Sequence, residues 1–232
     1  MNIPEQYSDT ISRSELFADI PPDMLADILD RGRRQHIKAG EILFHEGDHA
    51  DRCYLVLKGR LKLSKLHGQG KEAIIHYVEA GAVIAAVAVF KGKRFPVTAR
   101  AMGAAEAIGW DRDAIMELIS EYAQFAINLL RFAIDRIEEL QTRYLELAVE
   151  QVERRIARAL LRIMRQSGRK TGEGIEIEFK ISRQDLADYT GSTLYTVSRT
   201  LSNWGKRGWI KSGRQRIVII NPHALVSFSE TD

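Results

Sequence analysis

The sequence is short of features that would place the chain in a membrane, outside the cell or around a metal cluster. It holds one cysteine, Cys53, in 232 residues. A single thiol makes no internal disulfide and no thiolate-held iron–sulfur cluster. No run of 18 apolar residues occurs, so no membrane-spanning helix is expected. The stretch from Met1 to Asp19 is polar and acidic and lacks the basic and apolar regions of a secretory leader. Together these absences point to the cytoplasm. Nucleophile–base pairs, metal-ligand clusters and phosphate-cradling glycine loops are also missing, which speaks against an enzyme. One further absence is local. No acidic residue lies between Asp188 and Glu230, while that stretch carries Arg199, Lys206, Arg207, Lys211, Arg214 and Arg216.

The overall charge of +3 is unevenly spread. Residues 1–149 hold 19 Lys and Arg against 22 Asp and Glu, whereas residues 150–232 hold 15 against 9. A basic tail on an acidic body suits a polyanion partner, and equally a merely solvated basic face. Hydrophobic periodicity divides the chain. Residues 14–30 read as a short helix that Ile20-Pro21-Pro22-Asp23 breaks and restarts. From Gln35 to about Trp110, β-rich runs alternate with turn signals such as Lys58-Gly59-Arg60 and His67-Gly68-Gln69-Gly70, the pattern of a sandwich or roll. A short helix near Asp113 to Ser120 follows.

A long helix is predicted from Tyr122 to Glu150. Leu130, Ala133, Ile137, Leu140, Tyr144 and Leu147 are spaced 3, 4, 3, 4, 3, a heptad seam flanked by charge. The seam fits a parallel dimer helix or packing within the chain. Another helix is expected over Val152 to Gln166 and a strand over Ile175 to Phe179. Three domains result: residues 1–120, the long helix 121–150, and residues 151–232.

The last of these carries the clearest chemistry. Ser182 can cap a helix, with Asp185 at the reciprocal capping position. Leu186 and Ala187 supply its inward face. Thr190-Gly191-Ser192 makes a tight corner, and a second helix presents Thr193, Leu194, Tyr195, Ser198 and Arg199 outward while Val197 and Leu201 face in. Ser212-Gly213-Arg214-Gln215 then joins two strand-like runs into a basic hairpin. This is a winged helix-turn-helix. Lys206, Arg207, Arg214 and Arg216 suit phosphates. Arg199 suits a bidentate contact to guanine, and Leu194 and Tyr195 suit a thymine methyl or a groove shape. Ser182, Arg183, Gln184, Ser192 and Thr196 complete the candidate contacts.

The order of β-roll, long helix and winged module resembles the family of the cyclic-AMP receptor protein and the fumarate–nitrate reduction regulator, over nearly the whole chain. Val152-Glu153-Arg154-Arg155-Ile156-Ala157, Ile181-Ser182-Arg183-Gln184-Asp185 and Thr196-Val197-Ser198-Arg199 are most similar to its nitric-oxide-responsive denitrification branch. The resemblance implies an α+β fold: a cyclic-nucleotide-binding-like jelly roll, a long dimerisation helix and a C-terminal winged helix-turn-helix. It also implies a homodimer on inverted-repeat double-stranded DNA, with RNA polymerase as a further partner.

The departures bear on the signal. Where the family's cyclic-AMP binders carry Gly-Glu for the ribose and Arg-Ser for the phosphate, this chain has Ala85-Ala86 and Phe95-Pro96. Phe-Pro offers a phosphate neither donor nor charge. Leu140 and Gln141 stand where the adenine would meet the dimer helix. Cyclic AMP is therefore disfavoured, and without a cysteine cluster an iron–sulfur centre is too. The run Ala82 to Phe90 reads either as a buried strand in a filled core or as the wall of an apolar effector pocket. In the second case the pocket would take haem, with His76 as axial ligand and nitric oxide as the signal, or another small apolar ligand. His36, His45, His49 and His67 fall at turns or surface strands.

Overall fold

The computed structural model describes residues 7–66, 68 and 70–230. His67 and Gln69 of the expected turn lie outside the described residues, as do Met1 to Gln6. The chain divides into two compact units, residues 1–69 with 75–139, and residues 70–74 with 140–232. The division falls inside the long helix.

The first unit opens with α1 (Ser8–Ser12), a single 3₁₀ turn over Glu15–Phe17, and α2 (Pro22–Asp30). Pro22 occupies the first turn of α2, so the helix restarts where the sequence indicates. The expected helix over the preceding residues is only that 3₁₀ turn, because Asp19 adopts a positive φ of 59° just before the two prolines. Eight strands follow: β1 (Arg33–Ile37), β2 (Ile42–Phe44), β3 (Arg52–Lys58), β4 (Arg60–Leu66), β5 (Glu72–Glu79), β6 (Val83–Ile84), β7 (Thr98–Ala101) and β8 (Ala105–Asp111). They form two four-stranded sheets, ordered β1-β8-β3-β6 and β2-β7-β4-β5. The unbroken apolar run Cys53 to Leu57 is buried along its whole length in β3, which is held between β8 and β6. Gly59 turns β3 into β4 at φ 83°, and a Cβ there would lie 2.6 Å from the Ala104 carbonyl oxygen.

Between β6 and β7 the expectation of a continuous strand is wrong. Ala85 takes a left-handed conformation, φ 66°, and caps a short helix, α3 (Ala86–Phe90). The positive φ ends β6 after two residues. Val87 and Phe90 consequently face outward, each about half exposed. Next come α4 (Arg112–Glu121), capped by the Asp111 carboxylate on the Ala114 N–H, and α5 (Ala123–Val149). Two buried hydrogen bonds anchor the unit's helices. Trp110 Nε1 donates to the Ile28 carbonyl at 2.7 Å. The fully buried Asn128 of α5 donates to the carbonyls of Leu16 and Ala18. An unpaired amide there would cost more than the bonds contribute net, so Asn128 fixes the register of α5 against the N-terminal segment.

The second unit contains the end of α5, then α6 (Val152–Ser167), β9 (Gly168–Thr171), β10 (Gly174–Ile177), α7 (Arg183–Thr190), α8 (Leu194–Lys206), β11 (Ile210–Gly213), β12 (Arg216–Ile219) and α9 (Pro222–Glu230). Its sheet runs β11-β12-β10-β9. Ile156, Ala157, Leu160 and Ile163 line the buried face of α6 at helical spacing. Two elements escape the sequence reading. Strand β9 is polar, Gly-Arg-Lys-Thr, and owes its conformation to pairing with β10. Helix α9 did leave a signal: Asn221 caps it by accepting the Ala224 N–H, and Pro222 follows in the first turn.

Candidate nucleic-acid interface

The helix-turn-helix forms as its residues dictate. Ser182 Oγ accepts the Asp185 N–H at 2.9 Å, and the Asp185 carboxylate accepts the Ser182 N–H at 3.0 Å, a complete capping box. Gly191 closes α7 in the left-handed region at φ 59°, with Leu147 Cδ2 only 3.1 Å from where a Cβ would stand. Thr193 caps α8 by accepting the Thr196 N–H, and the two threonine hydroxyls are 2.9 Å apart. Leu186, Ala187, Val197 and Leu201 are fully buried, so the inward faces are as expected. Behind them Trp204, Trp209 and Phe228 pack as an aromatic cluster, with centroids 5.7–6.2 Å apart, that joins α8, the β11 entry and α9.

The outward face of α8 carries Leu194, 47% exposed, Tyr195, 74% exposed, and Arg199. Leu194 and Tyr195 thus leave apolar surface open at the start of the helix. The first turns of α7 and α8 meet the wing tip: Ser182, Arg183, Gln184, Leu194, Gly213, Arg214 and Gln215 line one open cleft. Ser182, Thr193 and Thr196 are occupied by capping, so their hydroxyls shape the helices before they can serve DNA.

The wing cations differ from expectation. Arg216 makes two hydrogen bonds to the Glu176 carboxylate, at 2.6 and 3.3 Å, and Lys211 lies 2.7 Å from Glu173. These hydrogen bonds hold both carboxyls below the usual glutamate range. Arg169 adds to the Glu176 pair at 3.6 Å. Arg216 is therefore ion-paired in the DNA-free chain through the cross-sheet neighbour that β10 supplies, while its side chain stays about half exposed. Arg207 lies over the Trp209 ring at 5.1 Å. Among the described residues, Arg183, Lys206 and Arg214 have no carboxylate partner and remain the cations best placed for phosphate.

A buried cluster lies under the corner of the motif and was not anticipated. Arg162 of α6 binds both oxygens of Glu146 of α5, at 2.6 and 3.0 Å. Burial is the largest single influence and works against the Arg162 charge, but the hydrogen bonds it donates to Glu146 and the attraction of Glu146 and Tyr189 together outweigh it, and the guanidinium ends above its ordinary value. Arg143 stacks on the Tyr189 ring at 4.4 Å and donates to the Tyr189 carbonyl. Arg155 donates to the carbonyls of Glu150, Thr190 and Gly191. The last turns of α5 are thus tied to α6 and α7.

Of the residues proposed for dimerisation, Leu130, Ile137, Leu140, Tyr144 and Leu147 are 54–71% exposed, and Ala133 is partly buried. Ile127 and Ile134 extend the apolar stripe.

The candidate effector residues are divided between the two units, and within the first unit Phe95, Pro96 and His76 do not line the cavity that Ala86 lines. In the first unit Ala86 lines an apolar cavity of about 300 Å³ between α3, α4 and α5. Phe95 stacks on Phe44 at 4.0 Å inside the roll, and Pro96 is exposed. His76 is not in the cavity wall. It is buried on β5, with Nε2 3.2 Å from Arg136 and Nδ1 3.4 Å from the Glu139 carboxylate. In the second unit Leu140 and Gln141 are exposed on α5.

This geometry defines a class, the winged helix-turn-helix DNA-binding proteins with an N-terminal β-roll. Residues 34–122 match the cyclic nucleotide-binding domain and residues 154–228 match the Crp-like helix-turn-helix domain. The global nitrogen regulator of Synechococcus elongatus is 28% identical over 82% of this chain and 87% of its own. The CRP-like cAMP-activated global transcriptional regulator of Mycobacterium tuberculosis is 21% identical over 94% and 97%. Among solved structures, FixK2 from Bradyrhizobium japonicum superposes with a TM-score of 0.76 at 23% identity, over 87% of this chain and 98% of that one. The chain belongs to the CRP/FNR family of DNA-binding transcriptional regulators. Relatives that include both cyclic-AMP-activated and nitrogen regulators fix the family and leave the branch to the site.

Proposed function

We propose that this regulator binds inverted-repeat operators as a homodimer through α5, under a signal other than cyclic AMP. The observation that carries the dimer is the heptad seam Leu130, Ile137, Leu140, Tyr144 and Leu147, broadened by Ile127 and Ile134 on the same side, apolar and open to solvent. Two recognition helices joined this way read half-sites about one DNA turn apart. The signal reading rests on Phe95, which stacks on Phe44 where the family places a phosphate-binding arginine, and on Ala86 in place of the ribose-binding glutamate.

A small uncharged apolar effector fits the cavity whose wall includes Ala86, Phe90, Ile115, Ile119, Leu129 and Phe132. Its volume is at the lower end for ligand sites, and its lining offers almost no hydrogen-bonding surface. A haem that reports nitric oxide does not fit there. None of the lining side chains ligates iron, and His76 already faces a guanidinium and a carboxylate. RNA polymerase remains the partner that the family implies.

The decisive experiment measures operator binding by gel shift and assembly by sedimentation. Changing Ile137 and Leu140 together to Glu should give monomers and abolish tight operator binding. A double variant that stays dimeric overturns the α5 interface. Saturating cyclic AMP should change neither thermal stability nor DNA affinity, and a tenfold gain, about 1.4 kcal/mol of coupling, refutes the signal reading. Haem titration with a Soret readout is the arm that would restore the nitric oxide reading.

A further inference from the structure

Arg199 has one carboxylate neighbour among the described residues, and it comes from a different helix. Glu153, in the first turn of α6, places Oε1 3.6 Å from Arg199 Nη2. Helix α8 itself has no acidic residue in its first turn. An exposed ion pair of this length adds little to stability. Its effect on an arginine that must present a planar fork to one base is different. A long side chain free in water samples many rotamers and must be immobilised on binding, at a cost in conformational entropy. A carboxylate fixed on α6 restricts the guanidinium before DNA arrives.

Glu153 also stands beside a surface built to meet phosphates, and its charge repels them whatever the sequence. The first favours the correct base, and the second weakens binding to every duplex, non-specific sites included. Arg199 and Glu153 are 58% and 35% exposed, so the pair can form in the free protein and persist against DNA without burying an unpaired charge.

We infer that Glu153 is a positioning residue for base recognition: it buttresses Arg199 and suppresses non-specific DNA binding. The inference rests on Arg199 reading a base, and the test separates the two. Operators are first selected from randomised inverted-repeat duplexes with the full-length protein. The base pair that Arg199 reads is the one whose preference vanishes in Arg199→Ala. Glu153→Gln should then lower discrimination at that base pair alone, by about threefold to tenfold. It should raise affinity for scrambled duplex and leave the melting temperature in place. Glu153→Asp should recover part of the discrimination. In the Arg199→Ala background Glu153→Gln should change no base preference further.

If Glu153→Gln weakens all duplexes equally, or lowers stability in step with affinity, the residue is structural and the inference fails. It fails also if discrimination is unchanged while Arg199→Ala abolishes it. If Arg199→Ala alters no base preference at all, it is the assignment of α8 as the reading helix that falls.

Discussion

Removing the Glu146 carboxylate should destabilise the second unit far more than removing both members of its ion pair. Glu146 is only 8% exposed at its side chain and Arg162 is 24% exposed. Glu146→Ala takes two charge-assisted hydrogen bonds from Arg162 and leaves a mostly buried guanidinium without its counter-charge. Loss of one partner of a fully buried pair costs about 3–5 kcal/mol. Water reaches a quarter of Arg162 and can take over part of the hydrogen bonding, so about 2–4 kcal/mol is expected here. For a chain of this size that corresponds to a fall in Tm of roughly 5–15 °C. Replacing both residues with leucine removes the charge along with its partner and should recover most of the loss. Denaturant titration followed by tryptophan fluorescence suits the measurement, because Trp204 and Trp209 lie in the same unit. A loss below 1 kcal/mol for Glu146→Ala, or a double variant as unstable as the single, would refute the argument. The position also ties α5 to α6, so the single variant should lose operator affinity through a loosened junction.

Other outcomes follow from single residues. Ala85→Gly should stabilise the first unit by about 0.5–1 kcal/mol, since relief of a left-handed alanine exceeds the added unfolded-state entropy; thermal denaturation checks it. Gly191→Ala should cost about 1–2 kcal/mol for the same backbone reason and crowd Leu147 as well. Glu176→Gln should free Arg216, while Arg169 keeps Glu178 at 3.8 Å; it should raise affinity for non-specific DNA and steepen its salt dependence, by about 0.9 in log–log slope for the cation recruited. The same pairs set a pH effect. Glu173 and Glu176 titrate lower when folded, so their contribution is present above the ordinary carboxylate range and is lost as pH falls through the depressed values. Removing that contribution with Glu176→Gln should flatten the acid limb of the stability profile. Burial pushes the Cys53 thiol up to about 12, so the native protein should not react with thiol reagents at neutral pH while the unfolded chain should.

Local chemistry was sufficient to read several elements from the chain alone. A Ser and an Asp three residues apart make a capping box wherever a helix starts, and Gly191 can take the left-handed corner that other residues resist. The heptad spacing from Leu130 to Leu147 states which side of a helix is apolar regardless of what packs on it. The charge imbalance of residues 150–232 likewise needs no fold. Other features depended on partners distant in sequence. The Ala82–Phe90 run is apolar in every register, so composition could not tell a strand from the strand, left-handed turn and helix that form; the backbone at Ala85 decided it. His76 could be placed on a strand but not given its neighbours, because Arg136 and Glu139 lie some 60 residues away on α5. That Arg216 has Glu176 as its ion-pair partner could not be read either, because β10 supplies it from 40 positions away. Glu153 and Arg199, 46 positions apart, meet only because α6 and α8 pack around a common core. The sequence by itself determined where α2 and α7 begin, where the Gly191 corner falls and which face of α5 is apolar, since those are properties of neighbours along the chain. Which charges pair, and so which remain free to meet DNA, was decided by the tertiary structure, because Coulomb attraction depends on separation in space.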